Sequence, residues 1–355
     1  MALGLVGFRE QAENQAKFFD SRGFPIYASI LRMTLDMIAA RSGRVPAVLE
    51  SAWGAREFTS LYERALLLCA ALRFEASRDP SHPLAKKIGD DADARGSVTS
   101  SELDAAIAFG KTHDLLVHRF VQTNEASRSI AWQLAATCFE GDAPIIVIDL
   151  GTSAGATLVG DRIGQAWQAP DGSPIVLAEE RRARARYGLD RRPVDLGDAD
   201  QADWLRACIW PGQRDRMIRF QRAVEEVKKA KASGELVIEK MGAEEMVAFV
   251  RKITDENPAA RIVVVQTAFI DYLPPEIRAP FEKGLRSWAL AHPNRAVWIG
   301  LEDAIEPLVE DGRSRFPAEM RLRRASRTHV VARCEWHPHV VAIDSDELAN
   351  ARSPY

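Results

Sequence analysis

The chain has 355 residues, with 47 Lys and Arg against 50 Asp and Glu, a net charge of −3 and 46% hydrophobic residues. That apolar content fills a sizeable core and excludes a disordered chain. The near-balanced charge excludes a general polyanion binder, so nucleic acid is not an expected partner. No apolar run approaches the roughly 20 residues of a membrane-spanning helix, and residues 1–10 lack the pattern of a secretory signal. Cys69, Cys138, Cys208 and Cys334 lie far apart, which predicts free thiols and a reducing cytoplasm.

Phe8, Ala12, Gln15 and Phe19 recur at helical spacing before Gly23 and Pro25. Ile26, Ile30, Met33 and Met37 form a second stripe, ended by Gly43 and Pro46. Phe58, Leu61, Tyr62, Ala65, Cys69 and Leu72 form a third, with an exit through Asp79, Pro80 and Pro83. Residues 89–101 read as a polar surface loop, and 102–119 as two further helices. Residues 1–121 are therefore expected to form a helical cap region. Beyond about residue 140 the rhythm changes. Short apolar runs at 145–150, 236–239, 262–266 and 296–301 alternate with helical segments, the pattern of a mostly parallel sheet covered on both faces. Runs at 320–325, 329–334 and 340–343 are closely spaced and predict antiparallel C-terminal strands. Residues 122–355 thus read as a Rossmann-like α/β domain.

The first of these strands carries the most specific signal. Ile145 to Leu150 runs into Gly151-Thr152-Ser153-Ala154-Gly155, a strand followed by a small-residue turn and an expected helix start. Such a turn lets a ligand approach the backbone and offers N–H groups at the helix N-terminus. Asp149-x-Gly151-x-x-x-Gly155 resembles the first motif of class I S-adenosylmethionine (SAM) methyltransferases. Gly151-x-Ser153-x-Gly155 also spells the nucleophile elbow of α/β-hydrolases, with Asp271 or Glu302 and His337 or His339 as triad partners. Against the hydrolase, the residues before 145 read as helix, and no His-Gly-Gly oxyanion segment is present. A carboxylate at the end of the second strand would accept ribose hydroxyls. Asp190, in Gly188-Leu189-Asp190-Arg191-Arg192-Pro193, is the first choice and Glu179 the second.

Gln122-Thr123-Asn124-Glu125-x-x-Arg128, Gly151-x-Ser153-Ala154-Gly155, Gly188-Leu189-Asp190-x-x-Pro193-Val194-Asp195-Leu196, Trp204-Leu205, Trp210-Pro211-x-Gln213 and His337-Pro338-His339 together resemble a bacterial family. With Phe24-Pro25-Ile26-Tyr27, the resemblance spans nearly the whole chain. The family is the one called domain of unknown function 2332. It implies a Rossmann-like, methyltransferase-type fold and supplies no reaction; the glycine motif on that fold points to SAM as cofactor, with a small molecule as methyl acceptor. Asp149, Gly151, Ser153, Gly155 and Asp190 would hold the cofactor, and Glu125 and Arg128 would face the acceptor. Two departures from SAM enzymes stand out. No acid follows Glu239 in Lys240-Met241-Gly242, and Gln266-Thr267-Ala268-Phe269 replaces the Asn-Pro-Pro-Tyr of amino-methylating enzymes, which disfavours DNA-base methylation.

Thr123 or Asn124 can cap a helix with Glu125 in its first turn. On that helix Glu125, Arg128 and Trp132 share one face, and Ile130, Leu134 and Cys138 another. Glu125 and Arg128 are either a surface pair contributing about 0.2–0.5 kcal/mol or the acceptor side of the site, with Arg128 holding a carboxylate and Glu125 an ammonium or a proton. Trp210 reads as a core residue before a ligand-stacking one. Arg181, Arg182, Arg184, Arg186, Arg191 and Arg192 form one basic run and Arg321, Arg323, Arg324 and Arg327 another. Cys334, His337 and His339 lack the fourth ligand of a zinc site, and no metal is expected.

Overall fold

The computed structural model describes residues 5, 7–58, 63–177, 183–310 and 313–353. Glu179, Arg181, Arg182, Leu61 and Tyr62 lie outside them. The chain divides into two units, Met1–Thr123 with Asp198–Met217, and Asn124–Gly197 with Ile218–Tyr355.

The first unit is helical: α1 (Phe8–Ser21), α2 (Pro25–Ala40), α3 (Val45–Trp53), α4 (Glu63–Arg78), α5 (Ala85–Ile88), α6 (Ser100–Ile107) and α7 (Thr112–His118). The stripe expected on α1 is buried, and Pro25 opens α2 where its missing N–H costs nothing. α6 starts two residues before the expected point because Thr99 and Glu102 form a reciprocal capping box. The loop before it is less superficial than its polarity suggests: Ala92, Ala94 and Val98 are buried. Arg73 on α4 anchors the start of that loop by donating to the carbonyls of Ile88 and Gly89 at 2.7 and 3.1 Å. Residues 198–217 return to this unit. Trp204 packs on Phe74, and Trp210 sits edge-on to Phe18, Phe19 and Phe24, a core tryptophan as its surroundings demand.

The second unit is a sheet covered by helices. Its elements are α8 (Ile130–Ala136), β1 (Ile145–Leu150), a small hairpin of β2 (Trp167–Gln168) and β3 (Pro174–Ile175), and β4 (Ala183–Asp190). After the α9 helix (Ala199–Ala207) of the first unit, α10 (Arg214–Ala232) leads to β5 (Leu236–Lys240), α11 (Ala243–Glu256), β6 (Arg261–Thr267) and α12 (Pro275–Ala291). β7 (Ala296–Glu310), β8 (Arg313–Arg324), β9 (Arg327–Cys334), β10 (Val341–Ile343) and α13 (Ser345–Arg352) complete the chain. The sheet order is β10-β9-β8-β7-β6-β1-β4-β5. Strands β5, β4, β1, β6 and β7 are parallel, and β8, β9 and β10 follow as an antiparallel meander. Ile146, Ile148 and Leu150 alternate onto the face packed by Met246, Val250, Phe281 and Leu285 of α11 and α12. The fold is therefore the α/β class expected, with a mixed sheet consistent with that of class I methyltransferases.

One expected element is missing. No α-helix follows the glycine turn; a three-residue 3-10 turn, Thr157–Val159, stands there instead. The carbonyls that would propagate a helix are taken by side chains. Trp132 Nε1 donates to Thr157 O at 2.9 Å and Arg186 Nε to Leu158 O at 2.8 Å. Arg186 is itself buried and pairs with Asp161 at 2.6 Å. Gly160 lies so close to Ser129 that an added Cβ would sit 2.1 Å from its Oγ, so this segment is packed tightly in its non-helical form.

Candidate functional site

The parallel strands run β1, β4, β5 in one direction and then restart with β6 on the other side of β1. The crevice outside the carboxyl ends of β1 and β6 is the topological switch point, where open α/β sheets bind ligands. Backbone strain gathers there. Gly151, Ser153 and Gly155 after β1 have φ of 81°, 51° and 83°, and Ala268 after β6 has φ of 50°. Two of these residues carry a Cβ, and such strain tends to cluster at functional sites.

The turn does not present a row of free amides. Gly151 N and Thr152 N donate to Leu189 O at 2.8 and 3.2 Å, and Gly155 N donates to Thr152 O at 2.9 Å. Ser153 N donates to Asp190 Oδ2 at 2.7 Å, and Ala154 N to Asn124 Oδ1 at 3.2 Å. The expectation of N–H groups at a helix N-terminus is thus corrected twice: the helix is absent, and the turn's amides are spent internally. Gly151 is required by a neighbour, since a Cβ there would lie 2.4 Å from the Phe269 ring.

Asp149 is buried at the end of β1, accepting from Thr152 Oγ1 at 3.0 Å. Burial is the main cause that pushes its carboxyl up to about 7; Asp190 adds to the rise, while Thr152 and Arg128 oppose it. Asp190 ends β4, the strand paired with β1, and its other oxygen accepts Arg192 N at 2.7 Å. Each oxygen still has a lone pair beyond its one backbone donor. Ser153 Oγ accepts from Asn124 Nδ2 at 3.0 Å, so Asn124 clamps the turn through both ends of its amide.

Glu125 and Arg128 are both buried, which excludes the surface pair. Nor do they begin an α-helix. Glu125 caps a 3-10 turn, Ala126–Ser129, by accepting Ser127 N at 3.1 Å, and α8 starts only at Ile130. Arg219 on α10 forks onto Glu125 with nitrogens at 3.0 and 3.4 Å, and His337 Nδ1 lies 3.7 Å from its other oxygen. Arg128 donates Nε to Trp336 O at 2.9 Å. Burial lowers its pKa, opposed by Glu125, Tyr272 and Glu302. Trp132 is part of the scaffold, fully buried.

Glu302, at the end of the parallel part of β7, completes the acidic floor. It accepts Phe269 N, Ile270 N and Gln266 Nε2 at 3.0–3.3 Å, and burial pushes it up to about 7. Three of the candidate hydrolase partners are committed elsewhere: Asp271 is exposed and pairs with Arg278, Glu302 serves the amides, and His337 lies against Glu125; the fourth, His339, is exposed. Asn124, Arg219 and Gln266 are the side chains organising the candidate site that sequence reasoning missed. Asn124 belongs to a recognisable motif but reads there as a helix cap; nothing in the spacing of Arg219 distinguishes it from its neighbours Arg214, Arg216 and Arg222.

Sheet order and the strained turn together define a doubly wound α/β protein whose candidate site lies at its switch point. The chain belongs to the bacterial family described as "Uncharacterized protein conserved in bacteria (DUF2332)", whose pattern it matches over residues 9–342. No curated protein matches it in sequence. Among the described residues no helix is long and apolar enough to cross a membrane.

Proposed function

We propose that the switch-point crevice binds SAM and that the protein transfers its methyl group to a small molecule. The observation that carries this reading is the character of the glycine turn. Its amides are already hydrogen-bonded, and Asp149, Asp190 and Glu302 surround it. A phosphate needs free N–H donors and a positive field; an acidic crevice without them suits a nucleoside bearing a cation. The residues present fit SAM on that ground. Asp190 has lone pairs for the ribose hydroxyls, Asp149 and Glu302, both raised to about 7 by burial, give a sulfonium negative surroundings as they ionise, and Ser153 and the strained Gly151–Gly155 turn border it.

When bound, SAM supplies an already activated methyl group, so the chain's task is alignment and proton removal. Arg128 spends only Nε on hydrogen bonds to the described residues, and its terminal nitrogens suit a carboxylate on the acceptor. Glu125, held by Arg219, and His337, 3.7 Å from it, are the side chains placed to take the acceptor's proton.

A second reading keeps the ligand and loses the transfer: a sensor of SAM or a related metabolite. The Phe269 ring against Gly151 favours it, as does an exposed Glu239 with no acid after it at the end of β5. Calorimetry with SAM and its demethylated product tests both. Binding that weakens by about tenfold or more in Asp190→Ala, the loss of one or two charge-assisted hydrogen bonds at about 1.5–3 kcal/mol each, supports the site. Methyl transfer to a hydroxyl or amine of an acceptor that also carries a carboxylate then separates enzyme from sensor. Binding of a dinucleotide or nucleoside triphosphate in place of SAM overturns the proposal.

A further inference from the structure

A second site stands on the α12 face of the sheet, near the start of β7. Ala279, Lys283, Arg286 and Leu290 form a stripe along α12, which faces the β8–β9 turn across a cleft of about 400 Å³. Lys283, Arg286, Arg323 and Arg327 line it, with hydroxyls from Ser287, Ser326 and Thr328. Its one carboxylate, Glu282, lies 3.8 Å from Arg278.

The arginines of the β8–β9 run divide into two kinds. Arg321 pairs with Glu319 and donates to Asp303 O at 2.7 Å. Arg324 donates to the carbonyls of Pro293, Cys138, Ala351 and Arg352. Both are structural. Arg323 is different. Its guanidinium stacks over Trp298 at 4.1 Å, and Arg286 approaches the same indole at 5.9 Å. Arg323 is buried, makes one hydrogen bond to Arg321 O at 3.3 Å, and its Nε has no partner among the described residues. Burial lowers its pKa to about 10, and the positive charge of Arg286 contributes. The two guanidiniums sharing one indole repel, and with four cations lining the cleft against the single carboxylate of Glu282, which together with Glu302 offsets the repulsion only in part, the cleft stays net positive.

We propose that this cleft binds the phosphate group of a small phosphorylated molecule, held between Arg286 and Arg323. Guanidinium forks match phosphate oxygens bidentately. The hydroxyls add donors, and Ala279, Ala289, Leu290 and Ala325 form an apolar wall for the organic part. Arg323 pairs with Trp298 in the β7–β8 register, and Trp298 lies four residues before Glu302, so the cleft opens toward the start of β7 while Glu302 still acts on Arg323; the phosphate assignment uses none of the switch-point residues.

The test is calorimetric titration of the full chain with inorganic pyrophosphate, then with a nucleoside monophosphate. Binding should weaken by at least about tenfold, or about 1.4 kcal/mol, in Arg286→Gln and disappear in Lys283→Glu. Both side chains are exposed, so folding should be unchanged and thermal stability without ligand equal or higher. A nucleoside monophosphate that binds more tightly than pyrophosphate supports the apolar wall. No binding of pyrophosphate, or equal affinity in both variants, overturns the site. Tighter binding of an RNA oligonucleotide, lost in the same variants, also overturns it and makes the cleft part of a nucleic-acid surface.

Discussion

Glu302→Gln should change how stability depends on pH. The Glu302 carboxyl titrates near 4.5 when unfolded and is raised to about 7 in the folded protein, chiefly by burial. A raised acid binds more protons folded than unfolded between those values. Its contribution to stability is therefore fully present below about 4.5 and is lost as pH rises toward about 7. At about 1.4 kcal/mol per pH unit the loss reaches about 3 kcal/mol. Glutamine cannot ionise; with its oxygen in the Oε1 place it keeps the Gln266 and Ile270 donors, but its NH₂ then opposes the Phe269 amide, which costs about 1–2 kcal/mol at every pH. The variant should thus be the less stable protein at about pH 4.5 and the more stable one above about pH 7, by about 1–2 kcal/mol each way, with the curves crossing between. Urea unfolding across this range, read by tryptophan fluorescence, measures it. Asp149, also raised to about 7, and His82, lowered to about 4 by burial, give slopes of opposite sign, but both persist in the variant and cancel in the difference. Parallel stability curves would refute the reasoning and mean that Glu302 is ionised in the folded protein throughout.

Arg219→Leu strips the fork from a buried carboxylate and should cost about 3 kcal/mol; adding Glu125→Gln should recover most of it in thermal unfolding, and full additivity of the two losses would contradict the pairing. Gly151→Ala places a Cβ 2.4 Å from Phe269 at a φ of 81° and should destabilise by about 2 kcal/mol or more. Removing the ring with Phe269→Ala should relieve the clash and leave the backbone strain, so the double variant should be less damaged by the glycine change than the parent. Ser153, its hydroxyl held by Asn124, should not label with a fluorophosphonate; covalent modification there, found by mass spectrometry, would reinstate the hydrolase.

The strands were readable because each is a short apolar run whose burial is decided locally. All four runs expected in the parallel sheet are strands, and β1 is buried along its whole length. The strand ending in Asp190 was legible only through its Gly-Leu-Asp-x-x-Pro ending, since Ala183–Asp190 carries Arg184 and Arg186 and is no apolar run. The 3-10 segment after the glycine turn was not legible. A propensity reading of Ala156-Thr157-Leu158-Val159 cannot know that Trp132 and Arg186, far away in sequence, take the carbonyls a helix would use. The Glu125 motif failed similarly. Spacing of three suggested a partner in Arg128, whereas the fork comes from Arg219, 94 residues on. Short-range periodicity reports which face is apolar; it carries no information about which distant polar group arrives to satisfy a buried one.

The position of β1 in the sheet has a consequence for synthesis of the chain. One edge of β1 pairs with β4 and the other with β6, which begins only at Arg261. About 110 residues separate the end of β1 from that partner. At translation rates of about 5–20 residues per second, this largely apolar strand has that edge open for roughly five to twenty seconds on the ribosome. An Ile-Ile-Val-Ile run with an unpaired edge is a template for pairing with another chain. The nascent protein is therefore most exposed to aggregation in that interval, and the arrival of β6 closes the hazard before the locally paired β7–β10 meander is made.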